Sequence, residues 1–170
     1  MGPPGHFGIA FAVKPLAPKA PLLVLLAASE ALDLLSLSFI ATGIEDVGVS
    51  STNLKQGLEV LVPASVSWSH GLFMSIVWSI VFAFIAFIIW RDKRTSGIIG
   101  LVVFSHWVLD FIVHVPDLPI FFDGSTMLGL GLWTSGPGLI ASIILELILL
   151  TAGITIYMIS RKRNTPLVPV

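Results

Sequence analysis

The sequence predicts an all-α integral membrane protein of about four transmembrane helices with a short N-terminal helix beside them, and three observations predict it. Its 170 residues are 55% hydrophobic and only 11% charged, against about 25% charged residues in an ordinary soluble domain. Four stretches approach the roughly 20 apolar residues that cross a hydrocarbon core. Lysine and arginine gather at one end of each stretch. A mean hydropathy of +0.98 places the chain in lipid, and a net charge of −1 gives no reason to expect nucleic acid as a partner. Cysteine is absent, so disulfides, thiolate metal sites and a thiol nucleophile are excluded. Any metal must use nitrogen and oxygen ligands.

Taken in order, the apolar run from His6 to Val13 precedes Pro15, Pro18 and Pro21. Those prolines interrupt helix and favour a turn, so the run is expected to double back beside the first span as a re-entrant or packed helix. That fold would lift His6 to the level of Glu30. The four spans are expected at residues 22–44, 71–90, 97–115 and 139–159 of a single membrane domain, 1–170. Apolar sequence continuing to Ala41 without a basic leader argues against a cleaved signal peptide. Lys14 and Lys19 precede the first span, Arg91, Lys93 and Arg94 fill the second turn, and Arg161, Lys162 and Arg163 follow the fourth. By the positive-inside rule both termini are cytoplasmic. The opposite loops, about 45–70 and 116–138, hold one lysine, Lys55, against Glu45, Asp46, Glu59, Asp117 and Asp123, and are expected to face outward. Trp68, Trp90 and Tyr157 lie near span ends, where aromatic rings suit the interface. The glycine-rich stretch 124–138 reads as a connector, with a flexible outer lid as the alternative. There is no internal repeat or low-complexity tract.

Glu30, Asp33, His106, Asp110, His114 and Glu146 fall inside these spans, and no Lys or Arg shares them. A charge at the bilayer centre costs at least about 2.5–3.5 kcal/mol. Carboxylates in that setting must take up protons, bind cations or reach water. Spacing favours a cation. His106, Asp110 and His114 stand at i, i+4 and i+8, one stripe about 80° wide on a helix of about 3.6 residues per turn. Glu30 and Asp33, three apart, share a face of the first span. Counting depth from the outer ends at about 1.5 Å per residue puts the carboxylates and His106 roughly 10–20 Å inside, with His70 and His114 near the surface. The site is expected to open outward.

Each residue also has a plain structural reading. A lone histidine in a bundle, His6 or His70 alike, is more often a hydrogen-bonded packing residue than a ligand. Ser67 or Ser69 reads as a helix cap, Glu146 as a protonated packing residue, and Asp117 as a solvated rim residue. Asp33, His106 and Asp110 together read as a functional site, because intramembrane ionisable residues rarely persist without one.

Gly5-His6, the Glu30 and Asp33 pair, Ser69-His70-Gly71 and the run from Ser105 to Asp110 together resemble the bacterial inner-membrane proteins called membrane-bound metal-dependent hydrolases. The family's pattern is an N-terminal His, a Pro-Asp with a nearby acid, a Thr-His-Ser segment and a later His-x-x-x-Asp. Here Leu32 replaces the proline and Ser69-His70-Gly71 the threonine version. The resemblance spans most of the chain and implies a divalent metal ligated by Asp33, His106 and Asp110, with His6 and His70 completing the site or shuttling protons. Glu30, His70 and His114 are then the candidate catalytic or ligand-supporting residues. Mixed imidazole and carboxylate ligands favour zinc, with manganese or iron nearly as well suited. A substrate reaching this depth would be a membrane lipid or lipid-linked ester. Two other functions use the same residues: a proton- or cation-coupled transporter, which at this length without a repeat would need to be an oligomer, and a non-catalytic protein fastened by metal. The inner ends of all four spans lack acids and histidines, which stops a relay halfway.

Overall fold

In the computed structural model, residues 1–49, 61–63, 66–122 and 124–164 are described. Helix α1, Pro3–Val13, opens with prolines in its first turn, where a missing N–H breaks no helical bond. A 3-10 turn at Lys14–Leu16 follows, and Pro18 and Pro21 keep the chain out of helix until α2, Leu22–Ser29. The Lys14 ammonium closes this turn by donating to the carbonyls of Ala17 and Pro18, at 3.4 and 3.1 Å. The chain therefore doubles back, as the prolines predict, and α1 lies against α2.

The expected first span is not one straight helix. It is a bent pair, α2 and α3 (Ala31–Thr42), inclined by 58° across the single residue Glu30. No proline makes this break. The Ser29 hydroxyl donates back to the Leu26 carbonyl at 2.8 Å, and the Glu30 N–H reaches Ala27 at 3.3 Å in a tightened turn. Such serine back-bonding competes with the helical ladder and bends it. Helix α3 ends at Gly43, whose φ of +73° is the left-handed cap conformation that glycine adopts without a Cβ clash.

Beyond it β1 (Val47–Val49) pairs antiparallel with β2 (Leu61–Pro63), in the register Val47 to Pro63 and Val49 to Leu61. Helices α4 (Leu72–Trp90) and α5 (Lys93–Val113) are joined by the tight turn Arg91–Asp92. The Asp92 side chain caps α5 by accepting the Thr95 N–H at 2.9 Å. A small ribbon, β3 (Leu118–Pro119) with β4 (Met127–Leu128), and a 3-10 turn at Leu132–Thr134 lead into α6, Gly136–Asn164. The glycine-rich connector is tied to the end of α5: Leu130 N–H donates to the Phe111 carbonyl at 2.8 Å and Gly131 N–H to that of His114 at 2.6 Å. Lys55, Glu59 and Asp123 lie outside the described residues.

Helices α4, α5 and α6, of 19, 21 and 29 residues, rise about 28 Å or more, enough to match or exceed the roughly 30 Å of a hydrocarbon core to within a residue. Among the described residues three helices are thus long and apolar enough to cross a membrane, or four with the bent pair as one span. Helix α5 begins four residues before the expected span and ends two residues short of it, whereas α6 runs past both expected ends and carries Arg161, Lys162 and Arg163 in its last turn. Helix α5 is central, burying Ile99, Val102, Val103 and Trp107 against Leu25 and Leu32. By contrast α6 leaves Ile140, Ile143, Ile144, Leu147 and Ile148 exposed, a surface suited to lipid. Helix α1 covers the inner face of α6 at close range: a Cβ on Gly153 would lie 2.0 Å from the Gly8 carbonyl oxygen. Paired glycines allow that approach.

Candidate metal centre

Helix α5 supplies the base of the site. His106 and Asp110 lie one turn apart, and Asp110 Oδ2 stands 3.1 Å from His106 Nε2. The other nitrogen of His106, Nδ1, is 2.7 Å from the Ser29 carbonyl oxygen. A carbonyl can only accept, so Nδ1 carries the hydrogen, and Nε2 of the neutral ring presents its lone pair to the cluster. The break at Glu30 has a direct consequence here. The helical ladder is interrupted next to Ser29, and the Ser29 carbonyl orients His106.

His70 approaches from the turn before α4. Its backbone N–H donates to Val66 at 2.7 Å, and its carbonyl accepts the Trp107 indole N–H at 2.8 Å. Its Nε2 lies 3.3 Å from His106 Nε2, 3.2 Å from Asp33 Oδ1 and 3.6 Å from Asp110 Oδ2. Asp33 comes from the first turn of α3, with Oδ1 3.5 Å from His106 Nε2. Two triangles of donor atoms thus share the edge between His70 and His106, one closed by Asp33 and the other by Asp110. Ligands at about 2.0–2.1 Å from a tetrahedral ion stand about 3.3–3.4 Å apart. The sides observed, 3.1 to 3.6 Å, bracket that spacing.

His6 reaches the cluster from α1, its ring stacked on His106 with centroids 3.9 Å apart. Its Nε2 lies 3.2 Å from the Met1 carbonyl and 3.6 Å from Asp110 Oδ1, while Nδ1 is buried without a hydrogen-bond partner. The Met1 amine donates to Asp110 Oδ1. Within the cluster His106 and Asp110 are almost fully buried, with 0% and 4% side-chain exposure, whereas Asp33 is 48% exposed. Asp33 is therefore the open side. His114, the residue at which α5 ends, stands outside the triangles: Nε2 is 4.0 Å from Asp110 Oδ1 and Nδ1 is 3.3 Å from Asp117 Oδ1. Glu30 sits at the helix break with Oε1 buried and unpartnered. Glu146 accepts the Gly2 N–H at 2.8 Å, so it secures the start of α1, close to its packing reading.

No ion pair with Lys or Arg forms at the cluster among the described residues. Its donor atoms are imidazole nitrogens and carboxylate oxygens, and two groups, His6 with His106 and Asp110, and Asp33 with His70 and His106, are close enough to hold a metal ion. No family model, curated protein or solved structure matches the chain. The site's chemistry therefore rests on its own geometry.

All five residues expected as ligands, His6, Asp33, His70, His106 and Asp110, meet in one place, and the two further catalytic candidates, Glu30 and His114, flank it. Sequence reasoning missed four contributors. Glu45, read as an outward loop acid, is 1% exposed and accepts the N–H groups of Trp68 and Ser69 at 3.1 and 2.8 Å and the Ser36 hydroxyl at 2.9 Å. Ser69, read as a helix cap, makes no cap bond to α4; its hydroxyl lies between Glu45 and His70. The Ser29 carbonyl and the Met1 amine are backbone groups. The serine flanking His70 was a usable signal, while nothing in the sequence joins Glu45 to a histidine 25 positions later.

Proposed function

We propose that this protein is a metal-dependent membrane hydrolase whose intramembrane site acts on a lipid or lipid-linked ester. The observation that carries the reading is the meeting of His70 Nε2 and His106 Nε2 at 3.3 Å, with the Asp33 and Asp110 carboxylates on either side. Two imidazole nitrogens flanked by two carboxylates concentrate lone pairs and negative charge in a low dielectric, and a divalent cation offsets both. His70, His106, Asp33 and Asp110 would hold the ion, with His6 beside them. Zinc fits this donor set best, and manganese or iron are the alternatives. A bound divalent cation supplies a water of lowered pKa and polarises a carbonyl or phosphoryl oxygen. The half-exposed Asp33 marks the side from which substrate enters. His114, between Asp110 and the rim residue Asp117, is placed to accept or deliver a proton at that mouth.

The partial resemblance to membrane-bound metal-dependent hydrolases supports this assignment, and with it a bacterial inner-membrane location. The basic residues at the Arg91–Asp92 turn and at the end of α6 support cytoplasmic termini. The test is elemental analysis of purified protein. Wild type is expected to carry about one or two zinc, manganese or iron per chain, and His106→Ala and Asp110→Ala to lose them while remaining folded; hydrolysis of phospholipid and lipid-phosphate esters is then assayed on the loaded protein. A metal-free wild type that binds none on reconstitution removes the hydrolase reading and leaves the cluster as a proton or cation pathway.

A further inference from the structure

A histidine can serve as a ligand through Nε2 only when its hydrogen sits on Nδ1. For His106 the Ser29 carbonyl settles this. His70 has no carbonyl at Nδ1; it has the Ser69 hydroxyl, 2.8 Å away. A hydroxyl can donate or accept, so His70 by itself can carry its hydrogen on either nitrogen. If Ser69 donates to Nδ1, the hydrogen lies on Nε2 and points into the cluster, where it blocks ligation.

What directs the Ser69 proton is Glu45. Ser69 Oγ is 2.9 Å from Glu45 Oε1 and 2.9 Å from Oε2, so its single hydrogen has a carboxylate to go to. The carboxylate is fixed in turn. It is buried, tied to the 67–70 turn by the Trp68 and Ser69 N–H groups and to α3 by the Ser36 hydroxyl. Among the described residues every partner of Glu45 donates to it, which suits an acceptor-only carboxylate. With the Ser69 proton drawn to Glu45, the serine lone pair faces Nδ1, the imidazole hydrogen lies there, and the Nε2 lone pair is turned on His106, Asp33 and Asp110.

We propose that Glu45 and Ser69 are positioning residues that make His70 a metal ligand: a carboxylate–hydroxyl–imidazole relay that fixes the tautomer of His70 from outside the coordination sphere. The relay rests on the metal reading above. It adds a function for two residues that touch no metal position, and it gives a role to a fully buried glutamate whose partners among the described residues are serine hydroxyls and backbone N–H groups. Partners of this kind typically change metal affinity by roughly 10- to 100-fold.

The test is a set of three variants in otherwise full-length protein, read by zinc affinity and by nitrogen-15 NMR of labelled histidines, which reports the tautomer of each ring. In Glu45→Gln the side-chain amide donates to Ser69 Oγ and turns the hydroxyl toward Nδ1. Zinc binding is then expected to weaken roughly 10- to 100-fold, and the metal-free His70 ring to shift toward the Nε2–H form while His106 stays unchanged. Ser69→Ala is expected to weaken zinc to a similar degree, and Ser69→Thr, which keeps the hydroxyl, to restore it. A purely structural role would not follow the hydroxyl or move one ring's tautomer, and Ser69→Thr against Ser69→Ala decides the matter if Glu45→Gln folds poorly. Zinc bound equally by wild type, Ser69→Ala and Glu45→Gln with His70 unchanged overturns the relay alone. A wild type without metal overturns the metal reading beneath it, whatever the tautomers show.

Discussion

Among single residues, Asp110 and Asp33 separate two kinds of contribution. Asp110 is buried and its two oxygens face the Met1 amine, His6, His70 and His106. Asp33 offers one oxygen to the same imidazoles from a half-exposed position. Asp110→Ala is expected to lose metal and to destabilise the protein by about 3–5 kcal/mol, because it strands buried partners without their acceptor. Asp33→Ala is expected to lose metal with little change in stability. Parallel zinc titration and denaturant unfolding in detergent check the contrast; equal destabilisation by both would mean that Asp33 is as structural as Asp110. The i, i+4 placement of His106 and Asp110 was legible because helical spacing is a property of the sequence. The buried Glu45 was not, since its partners among the described residues, Ser36, Trp68 and Ser69, converge only after the turn before α4 forms.

Helices bring these residues together through two local devices. The first is the break at Glu30, which leaves α2 and α3 inclined by 58° and puts the Ser29 carbonyl on His106. The second is the close approach of α1 to α6. A Cβ at Gly153 would meet the Gly8 carbonyl oxygen at 2.0 Å, whereas one at Gly97 meets nothing within 4 Å. Gly153→Ala is therefore expected to push α1 off α6, cost about 1–3 kcal/mol in overpacking and draw His6 away from His106. Gly97→Ala should be neutral or stabilising by up to about 1 kcal/mol, because alanine is the better helix former. Thermal unfolding of the two variants side by side tests this; matched midpoints would show that the α1 and α6 contact is loose. The prolines announced the turn after α1. The break did not announce itself, because Ser29-Glu30-Ala31 is compatible with continuous helix and only competition for the Leu26 and Ala27 carbonyls bends it.

In the whole molecule, polar groups gather at the cluster while the lipid-facing surface stays apolar, and the ends of the spans are pinned by exposed charges. Asp92 is one pin. It caps α5 through Thr95 and meets Lys19 at 3.2 Å. The hydrogen bonds from Thr95 first, and then Lys19, pull its pKa from 3.8 down to about 2. A depressed folded-state pKa gives stability that is complete above the unfolded value and is lost as pH falls through the folded one. The difference in unfolding temperature between wild type and Asp92→Asn should therefore be constant above about pH 5 and shrink between about pH 4 and 2; a difference that does not change over that window would show that the cap, not the charge, is what Asp92 contributes. Composition alone determined that the chain is helical and suited to lipid, because about 20 apolar residues in a row leave the backbone no other way to satisfy its polar groups. Helical period likewise determined which acids and histidines share a face. Only the tertiary structure decided that α1 and the 67–70 turn close over the same point, that the first span bends, and that Glu45 lies behind His70. Those outcomes depend on contacts between residues far apart in sequence, and local spacing carries no record of them.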